Sequence, residues 1–401
     1  MRETLSKKSI RDLSFAGKKV LVRVDLNVPF KKGTVEISDD WRIRAVMPTI
    51  QLLKEEGASV ILITHLGRPD GKVVEDLRLN VIAQRFSELL KEQIIYLQDC
   101  IGAKVDSVVE DIKPGEVVLL ENLRFHPEEE SNNVEFARKL AGLADFYVND
   151  AFSVSHRAHA SVDAITHFLP AVAGLLMERE LEMLGRTLEQ PRRPLGAIVG
   201  GEKVSDKMIV LEQLLEKADF LLIGGGMVAT FLQAQGFYVG NSHVEKDRID
   251  FATELLENST AKGCEILLPS DVVVAEEFKK DALSRMVTVD DIPNEYLIMD
   301  IGSQSVVSYT DALYQCKTVI WNGPVGVFEW EQFASGTKGI ARALGSLEDA
   351  TTLVGGGSTA EAIASLGLAE KITLVSTGGG ATLEFLEGRE LPGVASLQDK
   401  N

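Results

Sequence analysis

Two kinds of chemically useful residue punctuate this chain, and both fall at the ends of apolar runs. In the first half the runs close on Asp, Asn, His and Arg. Asp25 and Asn27 follow the run 19–24, His65 and Arg68 follow 59–64, and Arg124 follows 117–120, with Arg42 and Arg157 completing the set. A guanidinium fork matches carboxylate and phosphate oxygens, while a carboxylate such as Asp25 accepts from a substrate hydroxyl. In the second half the runs close on glycine and Lys, as in Gly200-Gly201-Glu202-Lys203, Gly224-Gly225-Gly226, Asn322-Gly323-Pro324, Gly355-Gly356-Gly357 and Gly378-Gly379-Gly380. Bare backbone N–H groups at such turns suit a nucleotide. Two chemistries at two sets of strand ends imply two ligands, one small and anionic, the other a nucleotide.

The sharpest local signal is the segment from Gly200 to Lys207. A strand ends, two glycines turn the chain, and a helix is expected over 204–217. Lys203 and Lys207 are four apart, so both are expected on one helical face above a helix N-terminus, where a phosphate would sit. A solvated Lys pair is the ordinary reading of this spacing, and the strand and diglycine shift it towards phosphate. No GxxxxGK[ST] or GxGxxG occurs, which weakens a dinucleotide-dependent oxidoreductase reading. His156 and His159 are metal ligands by type, but no third ligand has suitable spacing, so anion contacts or structural hydrogen bonds are expected. Asp150 is read as a turn or cap residue rather than a general base, and Glu128-Glu129-Glu130 as a solvated loop.

These residues need rigid elements to carry them. Apolar runs at 19–24, 59–64, 94–97, 117–120 and 146–148, then 196–199, 220–223, 265–268, 318–321, 351–354 and 372–375, alternate with amphipathic helical stretches such as 43–56 and 79–91. Short continuous apolar runs fit strands buried on both faces, as in parallel sheets. The fold class expected is α/β, with two three-layer domains, each around a mainly parallel sheet. A charged helix and Gln190-Pro191-Arg192-Arg193-Pro194 mark the connection. The expected domains are 1–174, a helix and hinge at 175–190, 191–380, and a C-terminal segment 381–401 returning to the first domain.

The 401 residues carry a net charge of −18, which argues against non-specific binding to nucleic acid or anionic membranes. An acidic protein that binds anions must concentrate its cations locally. Cys100, Cys264 and Cys316 are odd in number and far apart, as expected of a reducing compartment. The first residues lack an apolar leader core, and the longest nearly apolar stretch, 220–232, is too short to span a bilayer. A cytoplasmic location is expected.

The segments RVDLNVP (23–29), THLGRP (64–69), ENLRFHPEEE (121–130), HRAHAS (156–161), KVSDK (203–207), WNGPVGVFE (321–329) and STGGGATLEFLEGRELPGVA (376–395) resemble phosphoglycerate kinase, in order and over essentially the full length. The resemblance implies two Rossmann-like domains facing across a hinged cleft, and a monomer. The first domain would bind 3-phosphoglycerate or 1,3-bisphosphoglycerate, and the second ADP or ATP with Mg²⁺. Carried over by motif, Asp25, Asn27, Arg42, His65, Arg68, Arg124 and Arg157 are the triose-site residues. Arg42, Lys203 and Lys207 are the catalytic cations. Gly225, Gly226, Gly302, Asn322, Pro324, Gly326, Val327, Glu329, Gly355, Gly356, Gly357, Ser358 and Thr359 form the nucleotide pocket, with Glu329 towards the ribose. The family commonly has GGGD where this chain has Gly355-Gly356-Gly357-Ser358, so its magnesium-binding Asp is a Ser here. Ser358 and Asp206 are the metal-ligand candidates. Ser153 stands for a common Gly, and Ser303 for a common Pro. Loss of that Asp keeps open a nucleotide-binding protein without turnover.

Overall fold

Apolar runs become strands because both of their faces are covered. Ser59–Ile63, Leu195–Val199 and Thr318–Asn322 are buried at every position. In the computed structural model, which describes residues 6–400, the strands are β1 (Lys19–Arg23), β2 (Ser59–Ile63), β3 (Ile95–Tyr96), β4 (Val117–Leu119), β5 (Phe146–Asn149), β6 (Ala171–Ala173), β7 (Leu195–Val199), β8 (Phe220–Ile223), β9 (Glu265–Leu267), β10 (Asp271–Ala275), β11 (Ser284–Thr288), β12 (Leu297–Ile301), β13 (Thr318–Asn322), β14 (Thr351–Gly355) and β15 (Leu374–Val375).

The chain forms two units, Met1–Glu182 with Glu390–Asn401, and Met183–Arg389. The first holds a six-stranded sheet of order β3-β4-β2-β1-β5-β6, parallel throughout. Its core packs Val20, Val22, Val60 and Leu62 with Ile43, Val46, Ile50 and Leu53 of the helix Trp41–Glu55. The helical spacing of those four residues turns that face inward and leaves Arg42 in the first turn, off the buried stripe.

The second unit holds a six-stranded parallel sheet of order β15-β14-β13-β7-β8-β9. It also holds a three-stranded antiparallel sheet, β11-β10-β12, which the sequence reading lacks. Asp271–Ala275 is apolar enough to read as a strand, but a hairpin comes after it rather than a helix, so it falls outside the βα alternation. Its partner Ser284–Thr288 is mostly exposed and carries no apolar run. The short β6 was also not anticipated.

The helix Leu175–Glu189 spans the division between the units, which falls after Glu182. Leu181, Leu184 and Leu188 form its buried stripe. The chain rejoins the first unit from Glu390. Gly393 N donates to Ser155 O at 2.9 Å and Asn149 Nδ2 to Gly393 O at 2.8 Å. A Cβ on Gly393 would lie 2.9 Å from Ser155 Cα, so only glycine seats this return.

Candidate functional site

In the first unit the carboxyl ends of β1, β2, β4 and β5 bring cations into one cluster. Asp25, just past β1, anchors it. Its carboxylate accepts from Asn27 N at 2.9 Å, from the Ser153 hydroxyl and from Arg42 Nη1. Burial alone would raise its pKa, but the Arg42 guanidinium, with these hydrogen bonds, outweighs this and holds the carboxyl below the ordinary carboxylate range. Asn27 Oδ1 accepts from Gly67 N at 2.9 Å, which ties the β1 loop to the β2 loop. His65 is held well below the ordinary imidazole range, first by burial and then by nearby Arg23, Arg124 and Arg42 against the pull of Asp25. Its Nδ1 lies 3.1 Å from Arg23 Nη2, a group that can only donate. The neutral ring therefore carries its proton on Nε2 and offers a donor there.

Arg124 is the most telling residue. Its side chain is 4 % exposed, and Nη1 donates to Gly67 O at 2.8 Å. Its Nε lies 3.2 Å from Glu130 Oε1 without hydrogen-bond alignment, and both Nε and Nη2 are buried with no hydrogen-bond partner. Burial lowers its pKa, Glu130 opposes this, and the Arg23 and Arg157 charges lower it further. A buried guanidinium with unmet donors among other guanidiniums stores repulsion that a bound anion relieves.

The other first-half residues differ in exposure and in partners. Arg68 is exposed and forms no ion pair among the described residues. Arg157 Nε donates to His156 Nε2 at 3.2 Å. Asp150 Oδ1 accepts from Leu176 N at 2.9 Å and Met177 N at 3.1 Å and so caps the helix Leu175–Glu189, in keeping with the cap expected there. Glu129 corrects the sequence reading. It is fully buried rather than solvated, and accepts from the Ser161 hydroxyl at 2.6 Å and from Ser161 N at 2.9 Å.

In the second unit, loops after β7, β8, β13 and β14 meet in a corner built on glycine. A Cβ on Gly200 would lie 2.1 Å from Pro324 O, and one on Gly225 2.5 Å from Gly201 O. These glycines let the loops pack on one another. Gly226 is likewise filled by Glu202, Gly302 by Asp271 and Gly326 by Asp300, so their lack of a side chain serves the protein's own packing. Gly357 differs, since a Cβ there would meet nothing within 4 Å. It opens the helix Gly357–Ser365, with Ser358 and Thr359 next. Thr359 Oγ1 accepts from Gly323 N at 2.9 Å. Lys207 Nζ donates to Asn322 Oδ1, and Asn322 Nδ2 is buried without a partner beside Gly355 and Gly356. Val327 packs against the small antiparallel sheet, and Glu329 is exposed.

The lysine segment departs from its expected shape. The helix runs Met208–Leu215, not from 204, so Lys203 lies in a loop and Lys207 is the cap residue. The two do not share a helical face. Glu245, 41 residues away, holds the segment ahead of the helix: its Oε2 accepts from both Val204 N and Ser205 N. Lys203 is exposed, whereas burial lowers the pKa of Lys207 against the pull of Asp206 and Glu387.

A family model described as "Phosphoglycerate kinase" matches residues 10–389. Phosphoglycerate kinase from Moorella thermoacetica is 52% identical over 396 residues, covering 99% of this chain and 100% of that protein. The chain belongs to the phosphoglycerate kinase family. The protein of that name from Thermosynechococcus vestitus is 54% identical over 401 residues, covering 98% of this chain and 100% of its own. The solved structure of phosphoglycerate kinase from Coxiella burnetii matches with a TM-score of 0.85 at 39% identity, covering 97% of this chain and 98% of that chain. The enzyme from Pyrococcus horikoshii OT3 gives the same TM-score and coverages at 36% identity. Membership makes this chain a phosphotransferase and supports the two-sheet α/β fold expected from the sequence. No helix among the described residues is long and apolar enough to cross a membrane.

One buried acid near the nucleotide-side glycines makes a stability prediction. Asp300 accepts from Gly336 N at 2.7 Å and from Ile301 N at 2.9 Å, in a cradle left by Gly326 and Gly336. Burial pushes its carboxyl up to about 7, against the pull of those N–H groups. The folded state thus holds a proton that the unfolded chain loses above the ordinary value of 3.8. Its stabilisation is full below that value and is lost as pH rises through about 7. Asp300→Asn is expected to flatten this decline, read as Tm against pH. An unchanged slope counts against it.

Proposed function

We propose that the first unit binds 3-phosphoglycerate or 1,3-bisphosphoglycerate at its cation cluster and the second binds ADP or ATP at its glycine corner. The reaction is reversible phosphoryl transfer between them. The observation that carries the first half is Arg124, buried with two unmet donors among Arg23 and Arg157. Arg124 and Arg157 would take the anionic groups of the triose. Ionised Asp25 would accept from its hydroxyl, and His65 Nε2–H would donate to an oxygen. Asn322 Nδ2 carries the second half, as a buried donor beside Lys207 in want of a phosphate oxygen.

In the ATP-forming direction, a β-phosphate oxygen of ADP attacks the acyl phosphorus. The P–O bond to the carboxyl breaks, and 3-phosphoglycerate leaves as a carboxylate. The nucleophile is already an anion, so no general base is needed. The protein positions the groups and balances charge on the three equatorial oxygens. Arg42, Lys203 and Lys207 would supply that balance, with the N–H groups that open the helix Gly357–Ser365.

Mg²⁺ is expected to travel with the nucleotide. Ser358 Oγ at the start of that helix and the Asp206 carboxylate are oxygen donors of the type Mg²⁺ accepts, and phosphate oxygens would supply the rest. When bound, the ion neutralises phosphate charge. A coupled assay of ATP formation from 1,3-bisphosphoglycerate and ADP, with Mg²⁺ titrated, tests the reading. Activity is expected. Ser358→Asp, which restores a carboxylate, is expected to lower the Mg²⁺ needed for half-maximal rate about tenfold, roughly 1.4 kcal/mol of added binding. No turnover at any Mg²⁺ would favour a nucleotide-binding protein without catalysis.

A further inference from the structure

The loop that carries Lys203 and Lys207 is not held by its own helix. Val204 N and Ser205 N converge on Oε2 of Glu245, the second at 3.2 Å. The Val204 side chain is fully buried, and Lys207 N donates to Val204 O at 2.9 Å, which closes a tight turn between the lysines. Glu245 is itself fastened. Its N–H donates to Thr230 Oγ1 at 3.1 Å, and Thr230 is 1% exposed in the helix Val228–Ala234. Its carbonyl accepts from Arg248 N at 2.8 Å. A chain of hydrogen bonds therefore runs from a buried helix through Glu245 to the loop.

We infer that Glu245 is a positioning residue for phosphoryl transfer: its carboxylate fixes the 203–207 loop and so aims Lys203 and Lys207. The inference rests on the charge-balancing role proposed for those lysines. Lys203 is exposed and forms no ion pair among the described residues, so only its backbone limits where its ammonium can reach. The carboxylate also has a second effect. Paired N–H groups in a strand-to-helix loop are the donors a phosphate would take. With Glu245 on them, phosphate cannot settle there, and it is left to the ammonium groups and the helix opened by Gly357.

The test uses the full chain with Glu245→Ala, Glu245→Gln, Thr230→Val and, as reference, Lys203→Ala. Glu245→Ala is expected to lower kcat roughly tenfold or more, the scale of a misplaced catalytic group. KM for 3-phosphoglycerate should stay unchanged, because the triose residues belong to the other unit. Glu245→Gln keeps an oxygen for both N–H groups and is expected to recover most of the rate. Thr230→Val should fall between, which keeps the question answerable if the Ala variant does not fold. Full turnover in a folded Glu245→Ala beside a crippled Lys203→Ala overturns the inference. So does a folded Gln variant as slow as the Ala one. If Lys203→Ala turns over normally, the lysine assignment has failed, and the inference falls with it.

Discussion

Lys203→Ala is expected to lower kcat about a hundredfold, roughly 3 kcal/mol in the barrier, with much less change in nucleotide affinity. The reason is differential charge. The ammonium gains most when negative charge spreads over the migrating group, and least when ADP is simply bound. Structure sharpens the prediction. Lys203 is exposed in a loop and forms no ion pair among the described residues, so its removal costs no packing, and Tm should match the parent. Lys207 is a poorer probe, because it is partly buried and donates to Asn322, so its loss also disturbs the corner. Steady-state kcat and KM with a melting curve for Lys203→Ala suffice. A parental kcat would refute the role given to this residue.

Much of the architecture is legible because burial on both faces writes itself into sequence. Val60, Ile61 and Leu62, or Ala197, Ile198 and Val199, announce interior strands by type alone. The polar residues at the strand ends are legible too, since Asp25, His65 and Arg124 stand just past β1, β2 and β4. Features set by distant partners are not legible. Nothing near Lys203 says that Glu245 will take the next two N–H groups, or that the helix will begin only at Met208. Nothing in Glu128-Glu129-Glu130 says that the middle carboxylate will be buried on Ser161 while Glu128 stays exposed. The β10–β12 sheet escaped because its edge strand Ser284–Thr288 shows solvent most of its side chains. The glycines were legible as positions but not as purposes, since a nucleotide and a neighbouring loop both require a missing Cβ.

That ambiguity can be broken with a matched pair. Gly200→Ala is expected to destabilise the fold by about 3 kcal/mol or more, since overpacking against backbone cannot be relieved by a rotamer change. The new methyl would meet Pro324 O at 2.1 Å and Gly323 O at 2.5 Å, fixed carbonyls of the neighbouring loop. Gly357→Ala should do the reverse. Its Cβ position is open, its φ is not in the left-handed region, and it is the first residue of a helix, where Ala is favoured over Gly by up to about 1 kcal/mol. Tm should hold or rise. If Gly357 faces the nucleotide phosphates as proposed, the added methyl stands where they must approach, and KM for ADP should rise about tenfold or more. Urea melts and nucleotide titrations of the two variants separate the effects. A Gly357→Ala enzyme with parental KM would show that the open space beside this helix is not where the phosphates sit.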